Sequence, residues 1–307
     1  MKVGDLSVET FGRRLAGNGV VFRTGPFVTH LAAPLGELAA PLHCLYADFP
    51  CDDGGIADFH LRIAPTSWLR RRWRPSVRFL VDGQARFLPA PRRMALAMFE
   101  WGLNSCIFRN ANQFLIFHAA VAERDGLAVV MAGEPGAGKS TLCAALVNRG
   151  WRLLSDEFAL VRPQDGRLLP IARPVSLKNE SIGIIRAFAP DATIGPECSD
   201  THKGAVAHMK PPTDSVNRAD DPATPAWILF PRYRAGAETR LEPVSRARAF
   251  FRIADQSFNY HILGAAGFES VSRLIETCSC HDLAYASLDQ AVALLNGFAP
   301  ATTPVAR

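Results

Sequence analysis

One short stretch constrains the fold more than any other part of the chain: Gly133-Glu134-Pro135-Gly136-Ala137-Gly138-Lys139-Ser140-Thr141. It fits the pattern G-x-x-x-x-G-K-[ST], in which a glycine-rich loop turns its backbone N–H groups towards phosphate oxygens. The apolar run 127–132 before it is typical of a strand covered on both faces. Leu142, Ala145 and Leu146 then recur at helical spacing, so the loop is predicted to open a helix. These features predict an α/β architecture that binds a nucleoside triphosphate.

The residue types in this loop each suit one part of that task. Gly136 and Gly138 allow a concave backbone that side chains would block. Lys139 can reach the outer phosphates, and the Ser140 hydroxyl is suited to ligate Mg²⁺. ATP and Mg²⁺ are therefore the expected cofactors. The predicted nucleotide-binding residues are Gly133, Pro135, Gly136, Ala137, Gly138, Lys139, Ser140 and Thr141.

A pair of acids follows the next predicted strand. After a helix at 139–149, residues 151–154 are predicted to start another strand, which ends in Ser155-Asp156-Glu157. A strand–helix–strand crossover brings the carboxyl ends of both strands to one edge of a sheet. Asp156 and Glu157 are therefore predicted beside the loop, where an acid can accept a proton or order Mg²⁺. The alternative is an acid pair that only caps a helix or a turn.

Upstream of the loop, residues 114–122 form an apolar run interrupted by one histidine, His118. The turn residues 123–126 predict that this strand and the loop strand are antiparallel neighbours. Taken alone, His118 is more typical of a core histidine than of a functional one.

Lysine is scarce in this chain. Only five of the 34 basic residues are lysines, and four of these lie between 139 and 210. Because an ammonium is compact where a guanidinium is a planar fork, Lys178 and Lys203 are candidates for phosphate contacts. Chance clustering is the alternative explanation.

The remaining sequence predicts three regions. Residues 1–112 are expected to form a smaller α+β region, 113–298 the nucleotide-binding domain, and 299–307 a disordered tail. Residues 193–225 are rich in Pro, Asp, Thr, Gly and Ser, which predicts a long mobile loop. The basic run Arg70-Arg71-Arg72-Trp73-Arg74 favours a solvated surface over a nucleic-acid site.

Composition excludes several other classes of protein. A hydrophobic content of 48% with 21% charged residues is ordinary for a globular chain. No apolar run approaches the roughly 18 residues that a membrane span requires. Asp5 and Glu9 stand where a signal peptide would be basic and then apolar, which predicts a cytoplasmic protein. The seven scattered cysteines do not indicate a disulfide framework.

Taken together, these residues resemble the HPr kinase/phosphorylase group, and more closely the HPr-kinase-related proteins found near peptide-modification genes. The resemblance is clearest from His118 to Lys210, through His118-Ala119-Ala120-Val121, the glycine-rich loop and Leu153-Leu154-Ser155-Asp156-Glu157. A looser resemblance runs from about Tyr46 to Leu295. The resemblance to HPr kinases implies an α/β P-loop kinase core of the kind that HPr kinase shares with phosphoenolpyruvate carboxykinase.

The resemblance also implies roles for particular residues. His118 matches an active-site histidine, and Asp156 matches the acid that the family uses as its catalytic base. Glu157 replaces the usual second aspartate of the metal-binding acid pair. Lys178 stands where the family's downstream signature has a glutamate, so a reverse, phosphorolytic reaction is left open. The N-terminal region has no clear match, so neither the family's oligomer nor its partner HPr is carried over.

The predicted function is that of a kinase that uses ATP and Mg²⁺ to phosphorylate a serine or similar hydroxyl of a small protein or peptide. The predicted catalytic residues are Asp156, His118, Lys178 and Lys203, and the predicted metal ligands are Ser140, Asp156 and Glu157. Two alternatives remain: a small-molecule kinase and a non-enzymatic nucleotide switch. No nucleic-acid or membrane partner is expected. The acceptor, the preferred nucleotide and the oligomeric state are left open.

Overall fold

The computed structural model describes residues 1–52, 56–66 and 75–298, which divide into two compact units. The first unit comprises Met1–Asn110 and Arg173–Ala219, and the second comprises Ala111–Ala172 and Asp220–Arg307. Residues 173–219 therefore group with the N-terminal region, whereas the sequence had assigned them to 113–298. The basic run at 70–74 and the tail at 299–307 lie outside the described residues.

The first unit combines helices with two sheets. Its larger sheet has the order Cys51–Asp52, Val20–Thr24, Phe27–Ala32, Phe59–Pro65, Ser76–Val81, Gln84–Ala85, with Ala90–Pro91 also paired to Ser76–Val81. Its smaller sheet has the order Val175–Lys178, Gly204–Met209, Cys198–Thr201. Its helices are Val8–Ala16, Gly36–Leu45, Ala95–Asn110, Glu180–Phe188 and Thr213–Asn217, with short 3₁₀ turns at Val3–Asp5 and Arg92–Met94. Both helices and strands therefore occur in this unit.

A buried polar network explains why residues 173–219 join this unit. The guanidinium of Arg173 donates to Glu100 Oε2 at 2.7 Å and to Asn104 Oδ1 at 2.7 Å. The Tyr46 hydroxyl donates to the other carboxylate oxygen, Glu100 Oε1, at 2.6 Å. Separating a buried charge from its partner is strongly destabilising, so Arg173 is fixed to the helix that carries Glu100.

The prediction of a long loop at 193–225 is wrong. This segment contains the strands Cys198–Thr201 and Gly204–Met209 and the helix Thr213–Asn217. The hairpin strands are only four and six residues long, and turn residues surround them, so the composition of the segment obscured them.

The second unit is built on one eight-stranded sheet. Its path is Leu168–Leu169, Phe158–Val161, Leu115–Arg124, Leu127–Ala132, Thr224–Tyr233, Ser279–Tyr285, Arg240–Pro243, and Arg152–Ser155 also pairs with Leu115–Arg124. Its helices are Lys139–Val147, Arg246–Asp255, Tyr260–Leu263, Ala265–Thr277 and Leu288–Asn296. The mixed α/β architecture agrees with the fold class expected from the sequence. No helix among the described residues has the length and apolar character needed to cross a membrane.

The centre of this sheet follows the sequence-based prediction. Strand Leu115–Arg124 runs antiparallel to Leu127–Ala132, and Asp125 and Gly126 both adopt positive φ in the turn between them. Strand Arg152–Ser155 is also antiparallel to Leu115–Arg124, on its other side. It is therefore parallel to Leu127–Ala132, and both strands end at the same edge of the sheet.

Candidate functional site

The glycine-rich loop joins strand Leu127–Ala132 to helix Lys139–Val147. Gly133, Gly136 and Gly138 have φ of +145°, +84° and +95°, a region that residues with a Cβ rarely adopt. Gly138 is the N-cap of the helix, so the first backbone N–H groups of the helix face the loop. The sequence therefore folds here into a backbone turn that only glycine can make without strain.

The side chain of Lys139 lies across this loop and is buried. Its ammonium donates to the carbonyl of Gly133 at 2.5 Å and to that of Glu134 at 3.1 Å. A buried positive charge held by two loop carbonyls can turn to an anion that occupies the loop. Ser140 and Thr141 follow in the first turn of the helix, and both are partly exposed.

Two tyrosines that the sequence analysis missed support the loop. The backbone N–H of Tyr233 donates to the Ala137 carbonyl at 3.2 Å, and the Tyr285 hydroxyl donates to the Gly138 carbonyl at 3.1 Å. A Cβ on Gly138 would stand 2.4 Å from the Tyr285 oxygen, so glycine is required there for space as well as for conformation. Burial raises the pKa of Tyr285, which keeps its phenol protonated as a donor.

Tyr233 and Tyr285 end two parallel strands and lie opposite each other in register. The two residues are 52 positions apart in the sequence. Their common position at a carboxyl strand end is the signal that could have identified them.

Removing the Tyr285 hydroxyl should loosen the loop without disturbing the core. We expect Tyr285→Phe to lower the free energy of unfolding by about 1 kcal/mol, the usual worth of one internal hydrogen bond. Thermal unfolding with and without ATP measures both the stability and the effect of the ligand. Tyr260→Phe is the matched control, because it removes the same hydroxyl from a ring that packs against Phe250. Equal behaviour of the two variants would show that the Tyr285 hydrogen bond does not matter.

The predicted acid pair lies in a short break between two strand segments. Arg152–Ser155 and Phe158–Val161 both pair with Leu115–Arg124, with Ser155 opposite Val121 and Phe158 opposite His118. The Ser155 hydroxyl accepts hydrogen bonds from the backbone N–H groups of Glu157 and Phe158, at 3.3 and 3.1 Å. This turn fixes the backbone of Asp156 and Glu157 at the edge of the sheet where the loop strand also ends.

The two acids differ in their surroundings. Asp156 is buried. Burial of the Cys143 thiol raises its pKa, and the negative charge of the nearby Asp156 raises it further. Since Cys143 belongs to the helix that follows the loop, Asp156 lies on the loop side of the sheet. Glu157 is partly exposed, and its Oε2 lies 3.8 Å from Nδ1 of His118. The structure therefore brings together the loop, Asp156, Glu157 and His118 in one unit.

The predicted residues Lys178 and Lys203 lie in the first unit. Lys178 ends the strand Val175–Lys178, and Asn179 follows it with a positive φ of +52°. The side chain of Asn179 donates to the Lys203 carbonyl at 3.3 Å and accepts from the Ala205 N–H at 3.1 Å. The Lys203 ammonium lies 5.5 Å from the centroid of the Trp101 ring. The two lysines thus belong to one strand–hairpin arrangement.

Comparison with known proteins adds evidence for the middle of the chain. Residues 90–171 match the family model described as SynChlorMet cassette protein ScmC. The HPr kinase/phosphorylases of two Clostridium botulinum strains, Eklund 17B / Type B and Alaska E43 / Type E3, are each 32% identical over 71 residues. This match covers 22% of this chain and spans only 23% of the length of those curated relatives.

Among solved structures, the Hpr(Ser) kinase/phosphatase from Coxiella burnetii is 12% identical, with a TM-score of 0.26. That similarity covers 59% of this chain and 93% of the other. The family model and the curated relatives confirm the predicted resemblance to HPr-kinase-like proteins, and the model associates the chain with a protein of a cassette.

Proposed function

We propose that this chain is an ATP- and Mg²⁺-dependent kinase that transfers the γ-phosphate to a serine or similar hydroxyl of a small protein or peptide. One observation carries this proposal: the glycine-rich loop with Lys139 and the acid pair Asp156–Glu157 lie at the same edge of one sheet. Phosphoryl transfer needs in-line positioning and neutralised charge, and these are the groups that supply both. The similarity to HPr kinase/phosphorylases supports the reaction class.

The loop residues suit a triphosphate. Three glycines with positive φ shape the loop and carry no side chains that would block it. The N-terminus of the helix presents N–H groups with a favourable dipole. The ammonium of Lys139 adds a full positive charge within the glycine-rich loop. The residues proposed to hold ATP are Gly133, Pro135, Gly136, Ala137, Gly138, Lys139, Ser140 and Thr141.

The proposed Mg²⁺ ligands supply only oxygen donors, as this hard cation prefers. They are the Ser140 hydroxyl and the carboxylates of Asp156 and Glu157. No cluster of three His, Cys, Asp or Glu side chains that could hold a metal occurs within 1–52, 56–66 and 75–298. When bound, Mg²⁺ would neutralise phosphate charge.

Asp156 is proposed to orient the acceptor hydroxyl and to take up its proton as the oxygen attacks phosphorus. Its buried position strengthens electrostatic interactions with a bound substrate. His118 assists through Glu157, because the imidazole lies 3.8 Å from that carboxylate and can fix its orientation. Lys178 and Lys203 lie in the first unit, and their contacts with phosphate stay a prediction from the sequence.

The role of Lys178 can be tested while its charge is kept. Lys178→Arg should lower kcat/KM on the order of tenfold to a hundredfold, because a guanidinium is larger and presents its donors as a planar fork. Lys210→Arg is the control, since the Lys210 ammonium pairs with Asp48 at 2.8 Å and arginine can make the same pair. Unchanged steady-state kinetics in Lys178→Arg would mean that the lysines cluster by chance.

The function itself is tested by incubating the full chain with Mg²⁺ and ATP labelled at the γ-phosphate. Acceptors would be peptides and carrier proteins encoded beside this gene, the protein HPr, and a panel of nucleosides. Mass spectrometry should find phosphate on a hydroxyl of a peptide or protein. Label on a nucleoside alone would identify a small-molecule kinase. Slow release of free phosphate with no labelled acceptor, together with nucleotide-dependent partner binding, would identify a switch.

A further inference from the structure

The loop strand Leu127–Ala132 has different neighbours on its two sides. On one side, Leu115–Arg124 carries His118, and the adjoining segments carry Asp156 and Glu157. On the other side lies the parallel strand Thr224–Tyr233. The acidic groups therefore occupy one flank of the loop, and the end of Thr224–Tyr233 occupies the other.

A nucleoside triphosphate is an elongated molecule with its γ-phosphate at one end and its base at the other. If the proposed function holds, the γ-phosphate faces Asp156 on the first flank. The nucleoside must then extend from the loop towards the second flank. Any group that holds the base belongs at the carboxyl end of Thr224–Tyr233.

Tyr233 stands at that position and is held firmly at its backbone. Leu229 lies opposite Met131 near the end of the loop strand, so Tyr233 extends beyond that strand alongside the loop. Its N–H donates to the Ala137 carbonyl at 3.2 Å, and the next N–H, of Arg234, donates to the Tyr285 carbonyl at 3.0 Å. Two backbone hydrogen bonds thus fix the Tyr233 backbone next to the loop.

The ring of Tyr233 is only partly covered by packing contacts. Tyr233 is 49% exposed, whereas its register partner Tyr285 is buried behind the loop. The two ring centroids are 5.9 Å apart at an interplanar angle of 70°, so the edge-on contact with Tyr285 supports the outer ring. Arg232 and Arg234 on either side are exposed and add positive charge. A fixed, half-exposed aromatic ring beside a phosphate-binding loop offers a flat surface to a flat ligand.

We infer that the Tyr233 ring is the platform on which the nucleobase of the bound nucleotide stacks. This rests on the proposed function and assigns the base to one residue. Stacking uses the π-face that every base has, so the platform would hold adenine and guanine alike. Discrimination between ATP and GTP would have to come from other groups.

The test compares a ligand that has a base with one that lacks it. Calorimetry in the presence of Mg²⁺ would measure the binding of ATP, GTP and inorganic tripolyphosphate to the full wild-type chain, to Tyr233→Ala and to Tyr233→Phe. We expect Tyr233→Ala to weaken ATP and GTP binding roughly 5- to 150-fold, the range found when a stacked aromatic is truncated. Tripolyphosphate should bind all three proteins equally, and Tyr233→Phe should keep the wild-type affinity for ATP.

Each other result overturns the inference in a recognisable way. Unchanged ATP affinity in Tyr233→Ala would mean that the base lies elsewhere. An equal loss for ATP and tripolyphosphate would mean that Tyr233 acts by shaping the loop. If the wild type binds neither ATP nor tripolyphosphate, the proposed function fails and this assignment falls with it. Far-UV circular dichroism confirms that the variants are folded.

Discussion

Replacing Lys139 by alanine is expected to abolish detectable phosphoryl transfer. The ammonium of Lys139 is the buried positive charge of the glycine-rich loop, held by the carbonyls of Gly133 and Glu134. Removing a group that stabilises transition-state charge typically costs about 10²–10³-fold, and here it would also weaken ATP binding. Steady-state kinetics and calorimetry with ATP measure the two effects separately.

Because Lys139 is buried, its loss could also disturb the loop. Lys139→Met keeps the length and the apolar stem of the side chain while removing the charge, so it separates charge from packing. Lys210→Ala is a further control for the loss of a lysine, since Lys210 pairs with Asp48. Full activity and wild-type ATP affinity in both Lys139 variants would refute the proposed nucleotide site.

Asp156→Asn is expected to slow the chemical step more than it weakens ATP–Mg²⁺ binding, because the amide oxygen can still ligate the metal. General-base catalysis contributes about 10²–10⁴-fold, so the loss should reach or exceed that range. The amide is nearly isosteric with the carboxylate, which suits the buried site of Asp156. Single-turnover kinetics with a phosphoacceptor isolates this step from product release.

Glu157→Gln is the matched variant at the neighbouring, partly exposed acid. We expect it to raise the Mg²⁺ concentration needed for activity, because the partly exposed Glu157 is the better candidate of the two for the metal or its waters. A Mg²⁺ titration of both variants distinguishes the roles. If Asp156→Asn recovers at high Mg²⁺ while Glu157→Gln stays inactive, the roles are reversed. If both behave as wild type, the acids are structural.

The sequence predicted the centre of the second unit well, because there the local signals agree. The apolar runs before and after Asp125 and Gly126 form the expected antiparallel pair, and the loop, its helix and the strand before Asp156 follow in order. Each of these contacts joins residues that are close in the sequence. Local periodicity and turn residues are therefore sufficient to predict them.

Long-range pairing explains what the sequence did not reveal. Tyr233 and Tyr285 reach the loop only because their strands pair in parallel with the loop strand and with each other. The grouping of 173–219 with the first unit depends on Arg173 reaching Glu100. In both cases the partners are far apart along the chain, and the local sequence around each residue does not identify its partner.

The interleaved order of the two units has a consequence for synthesis on the ribosome. The chain leaves the first unit after Asn110, re-enters it at Arg173 and leaves it again after Ala219. Glu100 therefore emerges well before the guanidinium that neutralises it. Until then, closing the core around Glu100 would bury an uncompensated carboxylate, which opposes folding. The nascent first unit must therefore stay incomplete while the entire glycine-rich loop is translated. A chain cut to begin at Ala111 would leave residues 173–219 without the rest of their unit.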